Sequence, residues 1–542
     1  MLNNKDYKDI KGYLCLVLHA HLPFVRHPEY PDFLEEDWFY EALTETYLPL
    51  IDMFERLYEQ NIDFRISMSL SPTLCAMLSD ELLINRYKKH LNQLLELSEK
   101  EMNRTKNNHA QNLTAKMYNE KYTSYKNIFE KKYNSFILDA FRKFQDLGKL
   151  EIITCGATHG FFPLMMDEKA IEVQVKIACD EYKRFFDRAA KGIWLPECAY
   201  KKGIDKILAD NGINYFFLDT HGLLLGTPYP DFEVYAPIKC PDTNVAAFSR
   251  DMETSKQVWS ADVGYPGDFR YREFYRDLGY DADYEYIKPY LHSDGIRRNV
   301  GLKYFKITGP KCDLQYKQEY YPPDAKNAVY EHSHNFSFNR EKQIEYLNDK
   351  LGRKPIVTAT YDAELFGHWW FEGPDFIENL FKIIYFDQNI YSTITPSEYL
   401  NLEKEIQIVQ PAESSWGDKG YYEVWLNGTN DWIYRHLHKI TDAMITLATK
   451  YKDQNISALR RRALNQLSRE VLLAQSSDWA FIMSNKTMSE YAEKRTKAHI
   501  NRFFKLAELI ETEGENFDEY ILKDTELKDN IFPYIDFRLY SR

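Results

Sequence analysis

A chain of 542 residues is long enough for two or three domains and a sizeable buried core. Asp and Glu number 82 against 69 Lys and Arg, and the resulting net charge of -13 speaks against a sequence-independent grip on nucleic acid or anionic lipid while suiting a neutral polymer. Seven cysteines lie at wide spacings with no CxxC pair, which argues against a disulfide framework and against a zinc-thiolate site.

The first ten residues hold no apolar signal region, and no run of eighteen apolar residues follows. The expectation is a cytoplasmic protein with no membrane partner. Aromatics reach 15%, consistent with large cores and equally with a cleft lined by rings.

Short apolar, β-branched or aromatic runs recur at 13–18, 64–69, 150–154, 192–195, 215–218, 245–248 and 355–360. Each is followed by a longer segment with helical spacing, the pattern of a parallel α/β barrel of about seven strands. Polar residues gather just past these runs: His19 and His21, Ser69 and Ser71, Thr158 and His159, Glu197, Asp219 and His221, Arg250 and Asp251, Asp362 and Glu364. In barrels of this kind the active site forms at the carboxyl ends of the strands.

Residues 81–140 are rich in Lys, Glu, Asn and Tyr with recurring leucines, and read as a helical insertion between the second and third strands. A partly disordered excursion over 104–115 is the alternative. Residues 251–340 read as a long connection with little apolar periodicity, of the kind that lines or covers a site. From about 430 the pattern is helical, over 432–451, 457–473 and 487–512. The expected division is a catalytic barrel over 1–410, interrupted by the insertion, and a C-terminal helical domain over 411–542.

The chemistry concentrates in two places. Tyr361-Asp362-Ala363-Glu364-Leu365-Phe366-Gly367-His368-Trp369-Trp370 sets two carboxylates, an imidazole and two indoles just beyond a strand. Glu197 lies in Gly192-Ile-Trp-Leu-Pro-Glu-Cys-Ala-Tyr200, behind a proline that blocks helical continuation. Two carboxylates at two strand mouths suit glycosyl transfer, and aromatic faces suit pyranose rings. A surface glutamate on a connecting loop is the plainer reading of Glu197. Asp362 stands nearer the strand end than Glu364, which favours it as the acid and leaves Glu364 to orient its neighbours.

His19 and His21 are either hydrogen-bond donors to sugar hydroxyls or, with further ligands, a metal pair. No metal and no cofactor is expected. Cys198 lacks a neighbouring base and reads as wall packing. Trp416 and Trp425 are core tryptophans or sugar platforms. No P-loop, GxGxxG, GxSxG or HExxH occurs.

These motifs together resemble glycoside hydrolase family 57, in particular its α-glucan branching enzymes and AmyC-type α-amylases. The matching segments are His19-Ala-His-Leu-Pro23, Phe24-Val-Arg-His-Pro28, Gly156-Ala-Thr-His159, Trp194-Leu-Pro-Glu-Cys198, Asp362 through Trp370, Ser414-Ser-Trp-Gly417, Trp425-Leu-Asn427 and Gln475-Ser-Ser-Asp-Trp479. The resemblance implies a (β/α)7 barrel with a helical insertion and a C-terminal helical domain. It implies a retaining mechanism with Glu197 as nucleophile and Asp362 as general acid/base, their carboxyls about 5–5.5 Å apart. It also implies substrate contacts by His19, His21, Trp38, His159, Arg250, Trp416, Trp425 and Asp478. Trp259 and the Gly264-Tyr265-Pro266-Gly267 loop are similar to the family's loop over the cleft.

The expected partner is α-1,4-glucan, such as amylose or a glycogen-like polymer, and the expected reaction is α-1,6 branching. A hydrolysing α-amylase, a 4-α-glucanotransferase, a non-catalytic glycan-binding protein and a metal-dependent deacetylase through His19 and His21 are the alternatives. The motifs leave the oligomeric state open.

Overall fold

The computed structural model describes residues 10–260, 264–512 and 517–542. One sheet organises the molecule, built from β1 (Gly12–Ala20), β2 (Ile66–Leu70), β3 (Leu150–Cys155), β4 (Gly192–Trp194), β5 (Tyr215–Leu218), β6 (Ile238–Lys239), β7 (Ala246–Ser249), β8 (Ile356–Asp362) and β9 (Tyr391–Thr393). Seven of these strands run parallel in the order β7-β5-β4-β3-β2-β1-β8, with β6 antiparallel on the outside of β7 and β9 beside the start of β1. Each of the seven apolar runs in the sequence is one of these parallel strands, displaced by no more than two residues at either end. The sheet curls towards closure. Among the described residues no ladder joins β7 to β8, but the Asp251 N–H donates to the Thr358 carbonyl at 2.9 Å across the seam.

Alternation along the strands sets what faces inward. Tyr13, Cys15 and Val17 of β1 pack inside the curl with Trp194, Phe217, Phe248 and Ile356. Leu14, Leu16 and Leu18 point out to the surrounding helices. The next inward positions are His19 on β1 and Asp362 on β8, and the ladder pairs them directly, with Ser69 of β2 opposite His19 on the other side. Strand periodicity thus carries three polar side chains to one level at the open end of the apolar interior.

The insertion expected over 81–140 is helical apart from short breaks at 105–108 and 133–137. Glu81–Arg104 and His109–Lys126 are helices, each started by a side chain that accepts from its first turn, Asp80 from Leu83 N–H and Asn108 from Gln111 N–H. Only 105–108 separates them, so the polar stretch around 104–115 is ordered by its caps.

One expectation is corrected. The segment 251–340 is not a connection throughout, because a 30-residue helix, Pro322–Leu351, begins inside it. Its buried face mixes Ala325, Val329, Phe336 and Ile344 with Ser333, Ser337 and Arg340, which dilutes the apolar period in the sequence. Arg340 is matched by Glu253 at 2.6 Å and Gln257 at 3.1 Å.

The C-terminal region holds helices Trp432–Tyr451, Ala458–Ala474, Ser477–Asn485, Ser489–Thr512 and Glu519–Lys528. The short helix Ser477–Asn485 docks on the barrel mouth: the Ser477 N–H donates to the His159 carbonyl at 3.0 Å. No described helix is long and apolar enough to cross a membrane.

Candidate active site

Glu197 owes its position to local backbone strain. After β4 the chain passes Leu195 and Pro196, then Glu197 and Cys198 adopt φ of 62° and 50°. The left-handed region costs a residue with a Cβ about 1–2 kcal/mol, and such outliers concentrate at functional sites. The turn is held by the Cys198 N–H on the Leu195 carbonyl at 2.8 Å and by the Trp416 N–H on the Glu197 carbonyl at 3.0 Å. Its effect is to aim the Glu197 carboxyl across the barrel mouth. There the Trp416 indole Nε1–H donates to Oε2 at 2.8 Å and the Ser477 hydroxyl to Oε1 at 3.0 Å. Burial pushes this carboxyl up to about 7, although both donors favour its anion.

Asp362 sits in a different environment. It ends β8 on the inward row, and among the described residues no side chain donates to its carboxyl. Burial, then the charges of Glu364 and Glu197, hold its proton well above the usual carboxylate range, opposed only by Arg250. Arg250 is itself fixed on Asp219 by bonds of 2.7 and 3.2 Å. Glu364 leaves the row because the backbone turns at Ala363–Leu365, and the Tyr47 hydroxyl donates to it. The two adjacent acids therefore separate into one free carboxyl facing Glu197 and one engaged neighbour.

A directed chain of hydrogen bonds runs behind the Glu197 carboxylate. As an anion, Glu197 can only accept, so Ser477 donates to it. The Ser477 oxygen then accepts from His159 Nδ1–H at 2.8 Å. His159 is neutral, since burial lowers its pKa far below the normal imidazole value, so its Nε2 is a bare acceptor. His19 Nε2–H donates to it at 3.0 Å, and His19 Nδ1 accepts from Ser69 at 2.8 Å. Every member points its proton towards Glu197. The rings are clamped by stacking, His19 on Trp194 at 4.8 Å and His21 on His159 at 3.9 Å.

His21 lies on a second, parallel branch, with Ser71 at 2.8 Å and Asp478 Oδ2 at 3.0 Å. Burial would raise Asp478, but the His21 charge and hydrogen bond bring it to about 2. His21, His159 and Asp478 bring ligand atoms within 4.8 Å of one another, a donor set that a divalent ion could use. Here both ring nitrogens of His159 are committed to His19 and Ser477, and Asp478 Oδ2 accepts from both His21 and Ser476. The three side chains are arranged as a hydrogen-bonded scaffold for the carboxyls.

Residues 15–338 match the family model described as Glycosyl hydrolase family 57. The chain belongs to glycosyl hydrolase family 57. Residues 436–540 match a second model, described as 1,4-alpha-glucan branching enzyme, C-terminal. A 1,4-alpha-glucan branching enzyme of Thermococcus kodakarensis is 33% identical over 96% of this chain and 78% of its own length. Among solved structures, the alpha-amylase AmyC of Thermotoga maritima is 45% identical with a TM-score of 0.91, covering 98% of this chain and 99% of its own. A branching enzyme of this family from Pyrococcus horikoshii is 33% identical with a TM-score of 0.86, covering 98% and 97%. These likenesses extend over the curled parallel sheet and the C-terminal helices alike, so this family 57 chain shares both with its relatives.

The remaining sequence-derived residues are placed unevenly. Trp416 reaches the site as a hydrogen-bond donor, its ring edge-on to Trp194 at 5.1 Å. Trp425 does not: it is 1% exposed and stacked on Phe161 at 4.8 Å, so it offers no free face to a sugar. Trp38 is half-buried against Tyr491, and no described contact ties it to either carboxyl. Trp259 is 40% exposed at the end of helix Met252–Trp259. The loop that follows is described only from Gly264 onward, where the Tyr265 hydroxyl donates to Asn335 at 2.7 Å and its ring stacks on His332.

Ser69 is among the polar residues expected at the strand ends, whereas Ser477 is one that the sequence alone does not single out. The signal for Ser477 lies in the segment Gln475-Ser-Ser-Asp-Trp479, where Asp478 draws attention first.

Proposed function

We propose that this protein is a 1,4-α-glucan branching enzyme working by retaining double displacement, with Glu197 as nucleophile and Asp362 as general acid/base. The observation that carries the assignment is the asymmetry of the two carboxyl environments. Glu197 has two donors aimed at its anion, whereas Asp362 has none and faces two other acids. When the pair holds a single proton, it belongs on Asp362.

Asp362 then protonates the leaving glycosidic oxygen as Glu197 attacks the anomeric carbon, giving a β-linked glycosyl-enzyme. The freed chain end departs as an alcohol. Asp362, now ionised, removes the proton from an incoming 6-hydroxyl, which attacks the same carbon, releases Glu197 and closes an α-1,6 bond. His19, His21, His159, Arg250 and Asp478 serve as the polar wall of the donor site, with Trp38 and Trp259 at its rim and Tyr265 on the flanking loop.

We divide the chain into a barrel over 1–410, with its insertion at 81–140, and a helical unit over 411–542. Backbone bridges from Ser414 to Tyr200 and from Ser476 to Gly160 bind the two together. The substrate is α-1,4-glucan, as amylose or a glycogen-like polymer. Seven free cysteines fit a reducing, cytoplasmic setting.

The C-terminal match to branching enzymes favours transfer over hydrolysis. The 45% identity to an alpha-amylase makes hydrolysis at the same site the second reading. Linkage analysis on pure amylose decides between them. Branching removes iodine colour with few new reducing ends, and debranching then releases short chains. Abundant reducing sugar without 1,6 linkages establishes the amylase reading instead.

A further inference from the structure

A second cavity, of about 110 Å³, opens between the helical insertion and the barrel. One wall is the face Asp37, Tyr40, Glu41, Thr44 and Glu45 of the helical run after β1, and the other is Arg86, Lys89, His90 and Gln93 of Glu81–Arg104. A strap over 290–301 closes the third side, anchored by His292 on Asp37 at 3.0 Å and by Ser293 on Asp32 at 3.2 Å. Two helices that pack for stability alone bury apolar ridges against each other. These two also leave between them a space lined by polar and apolar groups together, and its rim is pinned.

Several groups inside have no protein partner. Among the described residues, neither the half-buried Glu41 carboxyl nor the ammonium of Lys89, exposed at the rim, makes a hydrogen bond or ion pair. Burial pushes Glu41 up to about 7, which makes it both a donor and an acceptor near neutrality. His90 makes no hydrogen bond either and lies with its ring along Tyr40 at 5.3 Å. The acids of the lining are offset by Arg86, Lys89 and Arg298, so no single charge sign is selected. A lining of mixed donors, acceptors and ring faces close to charge balance recognises a neutral polyol.

The cavity also backs onto the catalytic loop. Glu45 accepts from His368 Nδ1 at 2.7 Å, and the adjacent Trp369, 53% exposed, stacks on Phe274 at 4.4 Å. We propose that this cavity is a saccharide-binding site that holds a distal stretch of the same α-glucan chain, with Lys89, His90 and Glu41 as its hydrogen-bonding residues and Trp369 as the platform between it and Asp362. The inference rests on the α-glucan reading of the active site, and deepens it by naming where a long chain is held.

The test is direct binding rather than turnover. Maltoheptaose and maltose are titrated by calorimetry into the Glu197→Gln enzyme, which retains the cleft without catalysis. His90→Trp, which fills the cavity, and the Lys89→Ala/Gln93→Ala pair, which strips donors without adding bulk, are added in turn. Losing one or two hydrogen bonds weakens maltoheptaose binding about tenfold, while maltose binding holds constant. Equal maltoheptaose affinity in all three folded proteins overturns the proposal. Should His90→Trp fail to fold, the double alanine variant decides the matter alone. A linkage analysis that returned only hydrolysis would revise the reaction and leave this binding result standing, whereas no affinity for either sugar would reject the α-glucan reading itself.

Discussion

The Ser477 hydroxyl donates to Glu197 Oε1 at 3.0 Å across 280 residues of sequence, from the first turn of a C-terminal helix to the mouth of the barrel. The helical region thereby supplies a donor that favours the Glu197 anion and is not only a cover for the cleft. Because Ser477 is itself fed by the chain from Ser69 through His19 and His159, its proton has one direction to point.

Ser477→Ala removes that donor and leaves Oε1 facing His159 alone. Glu197 then holds its proton more tightly, and the acidic limb of the kcat/KM profile moves to higher pH. A lost hydrogen bond to a charged group, about 1.5–3 kcal/mol, corresponds to roughly one to two pH units. Ser477→Thr keeps the hydroxyl and returns the limb towards its original position. An unmoved limb in Ser477→Ala means that the bond has no part in ionising Glu197.

The two carboxyls are distinguishable by leaving group. Glu197→Gln abolishes turnover of every glucoside, because no covalent intermediate forms. Asp362→Asn abolishes action on amylose, where the departing oxygen needs a proton, yet retains the first step on an aryl glucoside whose phenolate departs unaided. A burst of released phenol in Asp362→Asn but not in Glu197→Gln supports the assignment, and the reverse pattern exchanges the roles.

Glu197 also carries a stability signature whose sign is fixed by its direction of shift. Its folded value of about 7 lies above the ordinary 4.5, so between those values the unfolded chain has released the proton and the folded one has not. Stability is fully present below about 4.5 and falls as pH rises through about 7, by up to about 3 kcal/mol. Glu197→Gln, which cannot ionise, loses this term. Its melting temperature should exceed that of the parent at pH 8 and match or fall below it at pH 4, as read by calorimetry. Parallel curves across this range would mean that Glu197 is not destabilised by its burial.

Much of this is visible in the chain itself. The seven strands announce themselves because a parallel sheet buried on both faces needs unbroken apolar runs, as in Gly12–Ala20, and Glu197 and Asp362 follow as acids just beyond such runs. The partners are harder to see. Ser477 is an ordinary serine until the helix Ser477–Asn485 is placed over His159, and that docking is set by packing between distant segments. Trp425 and Trp416 look alike in sequence, and only the turn after Ser414 sends one into the core and the other to Glu197. The helix Pro322–Leu351 stays hidden because its buried face includes Ser333, Ser337 and Arg340.

The loop that carries Asp362 onward has one position with no steric freedom. Gly367 takes φ of 118°, and a Cβ there would stand 1.8 Å from the Glu45 carbonyl oxygen and 2.8 Å from its carbon. Neither atom is the end of a flexible side chain, so the backbone of one segment must move. Gly367→Ala adds left-handed strain to overpacking and should cost about 2–4 kcal/mol of stability, read from denaturant unfolding. The displaced segment carries His368, bonded to Glu45, and Trp369 on its Phe274 support. Activity on amylose should therefore fall further than stability explains, because kcat is measured on the fraction that remains folded. If that fraction turns over at the parental rate, the contact between Gly367 and Glu45 is structural only and the loop's position is immaterial to Asp362.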